Sequence, residues 1–399
     1  MQPRFYRKVL NNGMTILFEK RDLPVASVVI AVRCGGINEK PSEKGISHFI
    51  EHMLYKGTPT RNSKKIAEEI EKNGGELNGF TDEAITAYWC KLPSKHLELA
   101  LDVLSDMVKN PLFDEKEIEK ERKVIFEEIK MRRDNPHIYV MDSIQEELYK
   151  GTLGIGLIGT YETMKAIDRK KLVEKFNQVY QPNNMILGIV GDADFDKIVN
   201  FAEKSFENKK GKVSQIKFSL SNGSKIEKRK GVDQANIVFA YHVPVSTNKQ
   251  SYTAEVLGTL MASGMSSRLF HEIRDKRNLA YSIRGDSNIT KFFAYNTIYV
   301  GTTKENVEKV KKLILEEFGK VSKGLSEEEL NQVKEQIIGN YHLSMEDSQS
   351  QLINLLINEI DGNAKEFYDF EKNIRAVKLK DVRKMANVKK YSFLALVPE

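Results

Sequence analysis

The same order of secondary-structure signals runs twice along this chain, and that repetition narrows the possible folds more than any single motif. In the first copy, runs dense in β-branched residues mark strands at about Met14–Glu19 and Val25–Arg33. Helical spacing follows over about Glu43–Tyr55 and Ser63–Asn73, the second stopped by Gly74-Gly75. Then come paired strands at Glu76–Thr81 and Ile85–Leu92, and helices over about Ser94–Lys109 and Asp114–Arg132. The second copy repeats this order with a strand at Ile237–His242, helices at Ser251–Met261 and Ser266–Asp275, and strands at Tyr281–Asp286 and Phe292–Val300. Helices over Lys304–Val321 and Ser326–His342 follow. Each copy closes with an amphipathic helix running into an apolar strand, Lys165–Val190 and Arg375–Val397. This predicts a duplicated α+β unit, two homologous domains each with a mostly antiparallel sheet packed with helices. The boundary falls in the polar stretch Asn208–Gly211, giving domains at 1–207 and 212–399.

Composition bounds the function classes. The chain has 399 residues, 40% apolar and 30% charged, a folded globular balance. Its apolar runs are strand-sized, so no membrane span is expected, and Met1–Leu10 lacks the apolar core of a secretory leader. Cys34 and Cys90 are too few for a disulfide framework and lie in no CxxC spacing, which points to a cytoplasmic protein. The net charge of +6 comes from 62 basic residues interleaved with 56 acidic ones, with no long basic block, so no nucleic-acid partner is expected.

The chemistry concentrates in His48-Phe49-Ile50-Glu51-His52, an HxxEH arrangement on the first predicted helix. Positions i and i+4 share a helix face, so both imidazoles can reach one ion while Glu51 stays close enough to address a bound water. A catalytic zinc needs a third protein ligand. The remaining histidines, His96, His137, His242, His271 and His342, are scattered without a partner motif. The helix over 117–132 offers Glu121, Glu127 and Glu128, and spacing alone leaves the choice among them open. Gly151–Gly159 lacks a nucleotide-loop fingerprint and reads as a flexible connection.

HFIEH followed by Glu121-Arg122 and then Glu128 resembles the M16 family of metallopeptidases, the family of pitrilysin, insulin-degrading enzyme and the mitochondrial processing peptidase. The resemblance spans the whole chain, in the family's single-half form. It implies one Zn2+ per chain held by His48, His52 and Glu128, with Glu121 as a carboxylate behind the ligands and Glu51 as general base. In the second copy, Arg274 and Tyr281 match the family's R-x6-Y signature, which implies substrate binding near the scissile carbonyl and stabilisation of the oxyanion. The Gly75–Thr81 strand, with Asn78 and Gly79, resembles the family's edge that receives substrate as an added strand.

The expected activity is zinc-dependent endopeptidase cleavage of unfolded peptides. Because longer relatives join two such halves into a chamber, the resemblance implies a homodimer with each site completed across it. The alternative is a non-catalytic subunit or peptide-binding scaffold of the same fold.

Overall fold

A computed structural model describes residues 4–214 and 217–399. Its strands are β1 (Phe5–Val9), β2 (Thr15–Lys20), β3 (Val25–Val32), β4 (Glu76–Thr81), β5 (Thr86–Pro93), β6 (Tyr149–Gly151), β7 (Met185–Gly191), β8 (Phe218–Leu220), β9 (Ser224–Arg229), β10 (Ala235–His242), β11 (Ala280–Ile289), β12 (Ala294–Thr302) and β13 (Ser392–Pro398). They build a six-stranded sheet, β1-β2-β7-β3-β5-β4, and a five-stranded sheet, β11-β12-β10-β13-β9, besides a short β6-β8 pair. Set side by side, β2-β7-β3-β5-β4 corresponds to β9-β13-β10-β12-β11. In both, the strand that closes each copy pairs parallel with the one that opens it, β7 with β2 and β13 with β9. The other neighbours are antiparallel. The α+β duplication expected from the sequence is therefore present in strand order and in pairing sense.

β1 and β9 were not among the expected strands. Both lie at sheet edges, and their sequences, FYRKV and SKIEKR, carry charge where a central strand carries apolar residues. Charged edges resist pairing with other chains. The same charges erase the apolar alternation by which a strand is recognised. Central β7, Met-Ile-Leu-Gly-Ile-Val-Gly, is buried throughout, as a strand covered on both faces must be.

The chain forms two compact units that are not consecutive in sequence. The first contains residues up to Lys130, Gly151–Lys217 and Ser344–Phe367; the second contains Met131–Lys150, Phe218–Leu343 and Tyr368–Glu399. The division into 1–207 and 212–399 is corrected accordingly, because each unit takes a helix from the other half of the sequence. Helix Ser348–Asp361, capped by Asp347, packs on β3 and β7 of the first unit. There the Ser348 and Ser27 hydroxyls lie 2.8 Å apart and Gln351 donates to Glu19 at 2.7 Å. Buried Glu359 accepts from Arg7 at 2.8 Å and Arg33 at 3.0 Å. Gly188 on β7 makes room for this helix, since a Cβ there would lie 2.8 Å from Leu352 Cδ1. Reciprocally, helix Pro136–Leu148 packs on β10 and β13 of the second unit. Gln145 donates to the Tyr295 hydroxyl at 3.1 Å, and the Tyr139 hydroxyl donates to Glu227 on β9 at 2.7 Å. No helix among the described residues is long and apolar enough to cross a membrane.

Candidate metal centre

The HxxEH segment lies on helix Ile46–Leu54 of the first unit. It starts at Gly45 with φ +93°, where a Cβ would come within 2.5 Å of the Ile158 carbonyl oxygen, so glycine is required. Its first turn has no local cap. Instead Glu39 reaches in, accepting from the Gly45 N–H at 2.8 Å and the Ser47 N–H at 2.7 Å. A carboxylate also suits the positive end of the helix dipole. Beneath it lies the buried pair Lys44–Glu83 at 3.1 Å, where burial pushes the Glu83 carboxyl up to about 7 and Lys44 opposes only part of that. Gly159, at φ +79°, fits against the same turn, its missing Cβ 2.3 Å from the Lys44 carbonyl oxygen. The flexible connection expected at 151–159 is thus packed at its end.

Phe49, Ile50, Met53 and Leu54 enter the core, and this burial fixes the helix rotation that brings His48 and His52 to its other side. The second carrier is helix Glu115–Asp134, which buries Ile118, Glu121, Arg122 and Ile125. The Arg122 guanidinium lies 5.3 Å from the Phe49 ring centroid and donates to the Met164 carbonyl, docking the two helices. As a result Glu121 and Glu128 face the imidazoles, while Glu127 is exposed.

His48 Nε2 and His52 Nε2 are 3.2 Å apart, and Glu128 Oε2 lies 3.5 and 3.8 Å from them. Ligand atoms bound tetrahedrally to zinc at ordinary bond lengths stand about 3.3 Å apart. The three atoms are therefore spaced as three ligands of one zinc ion would be, and such a set would leave the ion a position for a water or substrate. Among the described residues this is the one group of three or more His, Cys, Asp or Glu side chains close enough to share an ion. The other five histidines have other surroundings. His137 packs edge-on against Tyr299, His242 contacts the Ser221 carbonyl, His271 meets Asp275 and His342 meets Glu371; His96 lies in the turn that opens helix Leu97–Lys109.

Around the triangle the carboxylates divide. Glu121 Oε2 lies 3.1 Å from His52 Nδ1 and Oε1 lies 2.7 Å from Lys56 Nζ. Burial pushes Glu121 up, but the hydrogen bonds and charges of His52 and Lys56 together leave the carboxyl below its ordinary value. A carboxylate on the far imidazole nitrogen orients a ligating histidine. Glu51 instead turns toward β4, where the Thr81 hydroxyl donates to its Oε2 at 3.1 Å. Burial pushes the Glu51 carboxyl up, partly offset by His52 and Thr81. Lys56 and Thr81 escaped the sequence reading; Lys56 had a legible signal, standing four residues beyond His52 on the same stripe.

Among the described residues β4 is an edge strand that pairs with β5 alone. Asn78 is exposed on it, its side chain accepting from the Gly79 N–H at 2.8 Å. Gly79 faces the helix, and a Cβ there would lie 2.5 Å from the Tyr55 hydroxyl, 2.9 Å from the Ala87 carbonyl oxygen and 3.2 Å from Glu51 Oε1. The edge strand and Glu51 are therefore adjacent.

Arg274 and Tyr281 belong to the second unit. Arg274 sits in the π-helical turn Phe270–Asp275 with its guanidinium 4.7 Å from the Phe270 ring centroid. Tyr281 is the second residue of β11, half exposed, its phenol hydrogen-bonded to Gln234 and its ring over Gly301. This unit also keeps a partial copy of the first site. Glu255 on helix Ser251–Ala262 hydrogen-bonds Ser287 on β11, as Glu51 does Thr81 on β4, and Gly285 stands two residues before Ser287 as Gly79 does before Thr81. In this register, Tyr252 and Val256 replace the two histidines.

The comparisons agree with this construction. Residues 15–161 match the family model described as Insulinase (Peptidase family M16), and residues 166–337 match Peptidase M16 inactive domain. A Bacillus subtilis protein described as uncharacterized zinc protease YmxG is 32% identical over 95% of this chain and 94% of its own length. An uncharacterized zinc protease of Rickettsia felis is 31% identical over 87% of this chain and 85% of its own. A Helicobacter pylori protease structure superposes with TM-score 0.92 at 21% identity, covering 99% of this chain and 100% of that one, a likeness of fold. With both family models matched in succession and near-full-length relatives above 30% identity, the chain belongs to the M16 family of peptidases.

Proposed function

We propose that this protein is a zinc-dependent endopeptidase acting on extended, unfolded peptide segments. The observation that carries the reading is the triangle of His48, His52 and Glu128 beside Glu51 and the free edge of β4. The donor set of two imidazole nitrogens and one carboxylate suits catalytic zinc, and the relatives named zinc proteases support the same metal. A zinc ion held there would supply Lewis acidity, lowering the pKa of a water from 15.7 toward about 7. Glu51, oriented by Thr81, takes the proton at its carboxylate as the scissile carbonyl is attacked and returns it to the leaving amine. Asn78 and Gly79 lie on the edge that pairs with substrate backbone, which selects for extension more than for sequence. Arg274 and Tyr281 are assigned to the oxyanion, as a guanidinium and a phenol are suitable donors. The working form is a homodimer in the cytoplasm, with peptides as its partners and no role for nucleic acid or membrane.

A non-catalytic scaffold is the second reading, favoured by the words "inactive domain" in the description of the family that residues 166–337 match. Zinc content and cleavage of a mixed peptide pool, measured before and after chelation, separate the two. About one zinc per chain, lost together with cleavage, supports the peptidase; zinc-replete protein that cuts no peptide refutes it.

A further inference from the structure

Helix Ile46–Leu54 carries its site residues at a spacing of four, His48 then His52, and the spacing continues to Lys56. The helix ends at Leu54, yet the Lys56 N–H still donates to the Met53 carbonyl at 3.0 Å, which winds Lys56 onto the turn beyond the helix end. Beyond it the chain is pinned. Gly57 turns it at φ +126°, its carbonyl accepting from the Leu112 N–H at 3.1 Å, and Asp106 gathers Thr58 at 2.6 Å, Thr60 at 2.8 Å and Arg61 at 2.9 Å. From this fixed position the Lys56 ammonium takes Glu121 Oε1 at 2.7 Å, leaving Oε2 for His52 Nδ1 at 3.1 Å.

We propose that Lys56 is a positioning residue of the metal centre: by anchoring one oxygen of Glu121 it aims the other at His52 Nδ1, so that His52 presents Nε2 to the ion. A carboxylate with a single contact can swing about its side-chain torsions, whereas one held at both oxygens cannot. This rests on the zinc reading above. The competing role is a plain interhelical ion pair, with Lys56 27% and Glu121 8% exposed, whose loss would lower stability without changing the aim of an imidazole.

The test compares full-length wild type, Lys56→Met, Lys56→Arg, Glu121→Gln and the Lys56→Met/Glu121→Gln double variant. Zinc affinity is measured by competition with a chromophoric chelator, and the thermal midpoint is taken on zinc-free protein. Lys56→Met should weaken zinc about 10- to 100-fold, the range for partners behind metal ligands, while the zinc-free protein stays folded at a lowered midpoint. Lys56→Arg, which keeps a charge-assisted bond to the carboxylate, should recover most of the affinity. The double variant should bind zinc no more weakly than the weaker single one, because Lys56 acts through Glu121. Undiminished zinc affinity in Lys56→Met, or fully additive losses in the double variant, overturns the proposal. Absence of zinc binding in the wild type would instead overturn the zinc reading on which it stands.

Discussion

Replacing Gly79 by alanine tests whether the edge strand and the general base form one constructed site. The added Cβ would lie 2.9 Å from the Ala87 carbonyl oxygen, a backbone atom of the paired strand β5 that cannot retreat without breaking the ladder. It would also lie 2.5 Å from the Tyr55 hydroxyl and 3.2 Å from Glu51 Oε1. Ordinary contact of these atoms is about 3.5 Å, so Tyr55 must yield by roughly an ångström and Glu51 by a few tenths. Overpacking of this kind destabilises by about 1–3 kcal/mol. Displacing a catalytic group by about an ångström lowers turnover about 100-fold; for the smaller shift of Glu51, a fall of about 10- to 100-fold is expected. None of the Cβ's near contacts is a proposed ligand, so zinc stoichiometry should stay at the wild-type value. The assays are thermal melting, zinc content and steady-state cleavage of an unstructured peptide. Removing the nearest obstructing atom, by Tyr55→Phe in the Gly79→Ala background, should restore part of the turnover. A folded Gly79→Ala protein with wild-type turnover would refute the placement of Glu51 against β4.

Further outcomes follow from the same geometry. Glu51→Gln should abolish hydrolysis yet keep zinc, whereas Glu128→Gln should weaken zinc; full activity in the first or unchanged affinity in the second removes that assignment. Glu51→Gln and Arg274→Ala, each nearly inactive alone, should recover about a quarter of wild-type activity when co-expressed as mixed dimers, and verified mixed dimers without activity exclude a site completed in trans. The folded Glu83 carboxyl titrates at about 7, above its ordinary value of 4.5, because burial outweighs the attraction of Lys44. A raised acid pKa contributes stability that is complete below the unfolded value and is lost as pH rises through the folded one. Urea unfolding should therefore show a decline between about pH 4.5 and 7 that is missing in Glu83→Gln, and parallel curves for the two proteins would count against a buried titrating Glu83.

Local periodicity carried much of this protein into view from sequence. His48, Glu51 and His52 lie within five residues of one helix, where chain geometry alone puts i and i+4 on one face. The duplication was legible for a similar reason, since each central strand and long helix announces itself through burial of its own residues. What tertiary structure alone decided involves partners far apart in the chain. Spacing left Glu121, Glu127 and Glu128 equivalent; the docking of Arg122 on Phe49 turns Glu128 to both imidazoles, Glu121 to His52 Nδ1 and Lys56, and Glu127 to solvent. The bond from Thr81 to Glu51 spans thirty residues, and no pattern at either end foretells it. The exchange of helices Pro136–Leu148 and Ser348–Asp361 between units was equally invisible, because an amphipathic helix specifies that it must bury a face but not against which sheet. Gly188 settles that for Ser348–Asp361 by leaving the space that Leu352 fills, a complementarity that exists only once both surfaces have formed.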